Sequence, residues 1–318
     1  MRKILFVSFA IFIMQESVQA LERVRLSVAN LNVTFLAAGV AQKKGFFKEM
    51  GLEVEVIRMV PPTSIMALSS GDIGYTMGVG SVTRAAISGL PVKVIAGFVD
   101  GSAHALVALP EFKSVKELKG RTLGVGAYGS ADHVVALMML RHFGIDTDKE
   151  IKVVALGADR ARLAALKKQL VQAIVVSPPA DLEGKRMGFN LLTRAYELFS
   201  FPIAGLGTTV RRIEERLDEV KRVIKSLIKA NRFIRDNRVG AIQILTEWGG
   251  IDPESSAASY DSSVKVFSPD GSIPEDGLRL IIDQAKKDAK ITRAISLSEV
   301  SDFTILREAQ RELGIKGR

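Results

Sequence analysis

The chain of 318 residues carries 44 Lys and Arg against 35 Asp and Glu, a formal net charge of +9, and contains no cysteine. Without thiols there are no disulfides, thiolate metal sites, iron–sulfur clusters or cysteine nucleophile, and the basic surplus points to anionic partners. A single core stops growing near about 250–300 residues, so two lobes are expected.

Arg2-Lys3, the apolar run Ile4 to Met14 and the ending Val18-Gln19-Ala20 read as a secretory signal peptide, residues 1–20, cut after Ala20. The apolar run is too short for a permanent span, which takes about 20 residues. Removal of the signal takes Arg2, Lys3 and Glu16 with it and leaves +8. Export without a cysteine for lipid anchoring places the mature chain free in the periplasm.

Arg23 to Ala29 alternates as a strand, and Phe35 to Lys44 reads as a helix ending at Gly45. Leu52 to Arg58 is a second strand. Pro61-Pro62-Thr63-Ser64 opens a helix that closes at Gly71, and Ile73 to Met77 is a third strand. The turn Gly78-Val79-Gly80-Ser81 leads into a helix over Val82 to Ser88, followed by the strand Val92 to Phe98 and a hinge at Asp100-Gly101-Ser102.

A second unit of the same kind starts at His104 to Leu109. Its parts are a helix around Ser114 to Leu118, the strand Arg121 to Val125, a helix over 130–143, the strand Ile151 to Ala155, a helix over Asp159 to Lys168, and the strand Ala173 to Val176 with its loop Ser177-Pro178-Pro179. Arg211 to Arg238 reads as one long amphipathic helix. Helices over 274–289 and 298–313 are expected to pack back on the first lobe. The pattern is α/β, with lobe I formed by 21–103 plus 206–318 and lobe II by 104–205.

Residues 124–129 read GVGAYG, a match to the G-x-G-x-x-G turn that holds a dinucleotide pyrophosphate. The acidic partner expected about 20 residues on falls at Asp146 and Asp148, in a polar loop before the next strand. A nicotinamide cofactor is not expected, nor any other. In open α/β sheets ligands collect at the carboxyl ends of strands, which selects the loops after each parallel strand and a trap that closes over a small solute. Asp132, in the first turn of its helix, reads as repelling an anion.

His104, His133 and His142 show no metal spacing, and Met138-Met139 sits in an apolar helix as core packing. No G-x-S-x-G elbow is present, so an enzyme is not expected. The mixed charges of 211–238, with Phe233 as the one aromatic residue there, exclude a nucleic-acid arm.

The block FKSVKELKGRTLGV at 112–125, followed by Tyr128-Gly129-Ser130, resembles the periplasmic substrate-binding proteins of ABC importers for sulfonates, taurine and nitrate, with relatives for the pyrimidine precursor of thiamine. Further matching pieces are Gly71-Asp72-Ile73-Gly74, Gly89-Leu90-Pro91-Val92, Ala158-Asp159-Arg160 and Gly45-Phe46-Phe47 with Gly51-Leu52-Glu53-Val54. The resemblance implies a two-lobed type II periplasmic-binding fold with a ligand cleft between lobes. It also implies a monomer that captures a small organic anion (sulfonate, carboxylate or nitrate-like) and delivers it to a membrane permease with an ATPase.

By position the family's ligand loops correspond to Thr34, Thr63, Gly80, Ser81, Ser102, Tyr128, Gly129, Ser130, Ser177 and Pro178. The chain departs from the family at Gln169-Leu170-Val171-Gln172-Ala173 and at Ser177-Pro178-Pro179. The alternatives are a binding protein for the thiamine pyrimidine precursor or a related synthase-like enzyme, and a ligand-sensing partner of a membrane receptor. Arg84 and Arg160 lie near the right helices, with side-chain directions not readable from sequence.

Overall fold

The computed structural model describes residues 20–128 and 130–315. The signal-peptide assignment lies outside them except for Ala20, and Gly129 lies outside as well. Ten strands form two five-stranded sheets. They are β1 (Glu22–Val28), β2 (Leu52–Arg58), β3 (Tyr75–Gly78), β4 (Val92–Val99), β5 (Ala105–Ala108), β6 (Thr122–Val125), β7 (Lys152–Ala155), β8 (Ala173–Val176), β9 (Asn190–Arg194) and β10 (Ala204–Thr209).

The first sheet has the order β2-β1-β3-β10-β4 and the second β7-β6-β8-β5-β9. In each, one strand runs against the rest: β10 is antiparallel to β3 and β4, and β5 to β8 and β9. The alternation in β1 is what fixes its register. Val24, Leu26 and Val28 are buried, while Arg23 and Arg25 face out and pair with Glu53 (3.2 Å) and Glu55 (3.1 Å), their register partners on β2.

Each sheet has its own core. Around the first, the helices Leu36–Lys43, Leu217–Asp236 and Thr304–Glu312 bury Leu36, Val40, Ile224, Leu227, Leu306 and Ala309 against Leu26, Tyr75 and Phe98. Around the second, Val135, Met139, Leu163 and Leu166 pack on Leu106, Leu123 and Ile174. Met139 therefore belongs to the core, as its apolar helix indicates.

Several elements differ from their sequence reading. The helix after β3 begins at Val79, so Gly80 and Ser81 sit inside its first turn instead of in a preceding loop. The stretch 211–238 is not one helix. It breaks at Arg216 (φ −132°, ψ 36°) into Val210–Glu215 and Leu217–Asp236. The C-terminal stretch 298–313 breaks likewise into Leu297–Val300 and Thr304–Glu312, because Ser301 leaves the helix to bridge Val94 on β4.

Two helices, Arg238–Gly249 and Pro253–Ser263, and two strands, β9 and β10, carry no clear periodicity in sequence. The sequence of β10, AGLGTT, is poor in the β-branched and aromatic residues that mark strands. Its glycines answer a packing need: a Cβ at Gly207 would stand 2.4 Å from Val82 Cγ2, and one at Gly205 would stand 2.3 Å from the Ala96 carbonyl oxygen.

Candidate functional site

The chain passes between the sheets twice, from β4 to β5 through 100–104 and from β9 to β10 through 195–203. Both crossings leave or enter at the carboxyl ends of the parallel strands. The loops after β1, β2 and β3 therefore share that end of the first unit, and those after β6, β7 and β8 share it in the second.

On the first unit, the buried hydroxyls of Ser27, Ser64 and Thr76 form a chain with 2.7 Å at each link. Thr63, the expected contact, is exposed beside them, while Ser64 is turned inward. The Thr34 N–H donates to Asn32 Oδ1 (3.2 Å), and the Ser81 hydroxyl donates to the Gly78 carbonyl (2.9 Å). Arg58 reaches Asn30 Oδ1 at 3.4 Å, and Arg84 is exposed.

The second unit holds a charged cluster. Arg162, with its side chain 7% exposed, donates through Nη1 to Asp132 and through Nη2 to Asp159. Asp132 also accepts from the Gly126 N–H (2.5 Å) and is bonded to the Ser130 hydroxyl, which lies 2.5 Å from the Ala127 carbonyl as well. Asp159 accepts from the Ser177 N–H (3.3 Å) and hydroxyl (2.5 Å).

Three loops, those after β6, β7 and β8, are thus tied through one guanidinium. Burial works to raise the Asp132 carboxyl, but the Ser130 and Gly126 hydrogen bonds and the Arg162 charge outweigh it and hold the carboxyl below its ordinary range.

At the crossing, Ser102 is fully buried and lies 2.7 Å from His104 Nδ1. Burial lowers the His104 imidazole from its ordinary value, opposed by the charges of Asp132 and Asp159 and aided by that of Arg162. His104 is thus electrically part of the same cluster. A second buried pair lies beyond the Ser177 loop, where Asp181, fully buried, accepts from Arg194 Nη2 (2.5 Å) and from the Ser262 hydroxyl (3.1 Å). Ser262 belongs to the helix Pro253–Ser263, whose Tyr260 is in the first core, so this contact crosses between units.

Of the sequence-selected residues, Ser102, Ser130 and Ser177 each bond a member of the charged cluster, while Pro178 follows Ser177 in the loop after β8. Tyr128 takes another direction. It is 65% exposed, bonds the Val153 carbonyl (3.1 Å) and packs edge-on against His133. In the GVGAYG turn the Gly126 N–H is occupied by the protein's own Asp132.

Arg160 is exposed, and the buried arginine is Arg162, two residues further along the same helix. The signal for it in sequence was the Asp159/Arg162 spacing, three apart and so on one helix face. Nothing marked Asp181 or Arg194. Among the described residues no group of His, Asp and Glu is placed to hold a metal, and no helix is long and apolar enough to cross a membrane.

Residues 32–237 match the profile of the NMT1/THI5-like family. The binding protein YtlA of Bacillus subtilis is 24% identical over 326 aligned residues, covering 97% of this chain and 96% of YtlA. A thiamine biosynthesis protein of Haemophilus influenzae is 28% identical over 129 residues; the match covers 39% of this chain and 40% of that protein.

Among solved structures, the periplasmic sulfonate-binding protein SsuA of Methylobacillus flagellatus superposes with a TM-score of 0.75 at 15% identity, covering 94% of this chain and 97% of that one. The periplasmic nitrate-binding protein NrtA of Synechocystis superposes at 0.67 and 14% identity, covering 92% and 89%. The desulfurization enzyme DSZB does so at 0.64 and 12%, covering 92% and 99%. With about two thirds of its length matched by one family profile, and with two five-stranded α/β sheets laid out as in periplasmic binding proteins, the chain belongs to the NMT1/THI5-like family.

Proposed function

We propose that this protein is the periplasmic solute-binding component of an ABC importer, exported by the signal at 1–20, and not an enzyme. The observation that carries this reading is the double crossing between sheets, through 100–104 and 195–203, at the carboxyl ends of their parallel strands; it supports a cleft between two sets of strand-end loops, with the crossings as its hinge. A small solute there touches both units at once and binds the closed form better than the open one. It therefore shifts the population toward closure, and the closed form docks on a permease served by an ATPase.

Lobe I (21–103 plus 206–318), lobe II (104–205) and the loop residues Thr34, Ser81, Ser102, Ser130 and Ser177 are assigned on this reading. An oxyanion as cargo is supported by the charge of +9 and by the sulfonate- and nitrate-binding neighbours. A nitrogen-bearing solute, or a synthase-like activity, is supported by the family and by the thiamine biosynthesis relative.

The test is a thermal-shift screen of the purified protein against alkanesulfonates, taurine, nitrate, aromatic carboxylates and pyrimidines. A ligand at about 100 times its Kd adds about 2.7 kcal/mol, a rise of a few degrees for a chain this size. Stabilisation by one class supports the binding-protein reading, and turnover of that solute overturns it in favour of an enzyme. No stabilisation by any class removes it.

A further inference from the structure

β4 is an edge strand, and two separate segments of chain cover its free side. In the first, the Ser268 N–H donates to the Phe98 carbonyl (3.1 Å) and the Gly271 carbonyl accepts from the Gly97 N–H (2.7 Å). In the second, the Asp302 N–H donates to the Val94 carbonyl (3.0 Å). A cavity of about 330 Å³ is lined from both, by Ile273 and Pro274 after the first segment and by Phe303 and Leu306 after the second. None of these residues belongs to a loop at the carboxyl end of a parallel strand.

The polar groups of the cavity come from the helix Thr304–Glu312 and from the turn before Ile273. Gln310, 3% exposed, donates from Nε2 to the Asp270 carbonyl (2.9 Å) and to Ser272 Oγ (3.0 Å), which fixes the helix to the turn. Ser272 Oγ accepts that bond, and its own proton has no acceptor among the described residues. Arg307 and Gln310 also line an adjoining cavity of about 320 Å³, together with Arg311.

Arg307 and Arg311 stand four apart on one helix face, where like charges repel. Neither meets a carboxylate among the described residues, and Arg307 reaches only the Thr304 hydroxyl, at 3.3 Å. The acids of this helix line neither cavity, and Glu312 is turned to Lys221 (2.7 Å) and Lys225 (2.9 Å). Of the loop acids, Asp302 accepts from the Thr304 N–H (2.9 Å) and Asp270 from the Ser272 N–H (3.0 Å). The residues lining the two cavities thus carry two positive charges and no negative one.

We propose that these cavities form a second ligand site, outside the cleft, for a small amphipathic anion: a carboxylate with an alkyl or aryl body. The body lies against Ile273, Pro274, Phe303 and Leu306, and the head group takes the guanidiniums of Arg307 and Arg311 with the Ser272 hydroxyl. A guanidinium matches a planar carboxylate through paired N–H bonds, and the anion relieves the repulsion between the two arginines. Each cavity falls within the about 300–1,000 Å³ usual for small-molecule sites. Because the site shares no residue with the strand-end loops, it does not depend on what the cleft holds.

The experiment titrates the purified protein with sodium octanoate by calorimetry, beside 1-octanol, which has the body without the charge, and sodium acetate, which has the charge without the body. The double variant Arg307→Gln/Arg311→Gln, at two exposed positions, is titrated in parallel. Hydrogen exchange read by mass spectrometry locates the bound octanoate. Octanoate is expected to bind with a Kd below about 1 mM, at least about tenfold more tightly than octanol or acetate and than it binds the double variant. Slower exchange is expected in peptides covering 270–274 and 303–311.

A Kd for octanoate above about 1 mM overturns the proposal, as does equal affinity for the double variant. So does slowed exchange confined to the strand-end loops, which would put octanoate in the cleft instead.

Discussion

Arg162 reaches across 30 residues of sequence to Asp132, and the two side chains are only 7% and 11% exposed. The pair is the tie between the GVGAYG turn and the helix Asp159–Lys167. Its energetic worth lies less in the attraction than in what happens when one partner is lost, since a buried charge is then left uncompensated.

Replacing Arg162 by Met leaves Asp132 and Asp159 facing one another without their cation. A loss of about 3–5 kcal/mol is expected, the range for breaking a buried ion pair from one side. Urea denaturation measures it as a lower midpoint with unchanged slope. The triple variant Arg162→Met, Asp132→Asn, Asp159→Asn should recover most of the loss. If Arg162→Met alone is within about 1 kcal/mol of the wild type, the guanidinium is not holding these loops.

Acid should destabilise the protein in two windows. His104 is held below its ordinary value of 6.5 by burial, so the unfolded chain takes up this proton first; stability is full above about 6.5 and falls as pH drops toward the folded value. Asp132 is held below its ordinary 3.8, so its contribution is present above that value and is lost as pH falls through the lower folded one. Asp132, Asp159 and Arg162 are the charged groups that act on His104. Melting temperatures from pH 8 to 3 should show His104→Gln with a flatter slope below about 6.5 and Asp132→Asn with a flatter slope below about 4. Parallel curves for all three proteins would contradict both assignments.

Much of the first sheet was legible because its strands alternate: Val24, Leu26 and Val28 alone specify which face of β1 is inside. The helices that follow are marked by proline and glycine at their ends, as at Pro61 and Gly71. The strands β9 and β10 were not legible, since β10 is shaped by close approach to Val79, Val82 and Ala96, and a demand for small residues leaves no hydrophobic period to read. At the candidate site, helix phase is what the sequence did not disclose. Thr63 was expected to face the ligand and the direction of Arg160 was not readable, and the inward-facing groups are Ser64 and Arg162, one and two residues away. Such a choice depends on helix phase relative to the sheet, and single-residue phase is lost when the helix start is uncertain.

On the proposed reading of two closing lobes, the contact of Ser262 with Asp181 holds the closed form. Ser262→Ala removes a hydrogen bond between units and leaves the Asp181–Arg194 pair intact, so the closed form should lose about 1 kcal/mol, a several-fold change in its population. Because the chain has no cysteine, Met187→Cys in the second unit and Val239→Cys in the first, both exposed positions, can carry spin labels without background. Pulsed electron–electron resonance should show a broader and longer distance distribution in the Ser262→Ala protein. An unchanged distribution would mean that the seam is held by other contacts, such as Arg186 with Glu254 at 2.8 Å.

Gly205 sets the spacing between β10 and β4. Its pairing with Gly97 lies between two register shifts, and a Cβ there would stand 2.3 Å from the Ala96 carbonyl oxygen, 2.7 Å from Val79 Cγ2 and 3.2 Å from Gly97 Cα. Two of those three neighbours are backbone atoms of β4, hydrogen-bonded to β10, which cannot yield as a side chain could. Gly205→Ala should therefore destabilise the first unit by about 1–3 kcal/mol, the usual cost of overpacking. Gly89→Ala offers the contrasting case: no atom lies within 4 Å of its Cβ position, and its cost should come from the backbone angle (φ 93°) alone. Denaturation midpoints of the two variants separate these causes, because Gly89→Asn, which tolerates positive φ better than Ala, should recover part of the loss, whereas Gly205→Asn should be worse than Gly205→Ala.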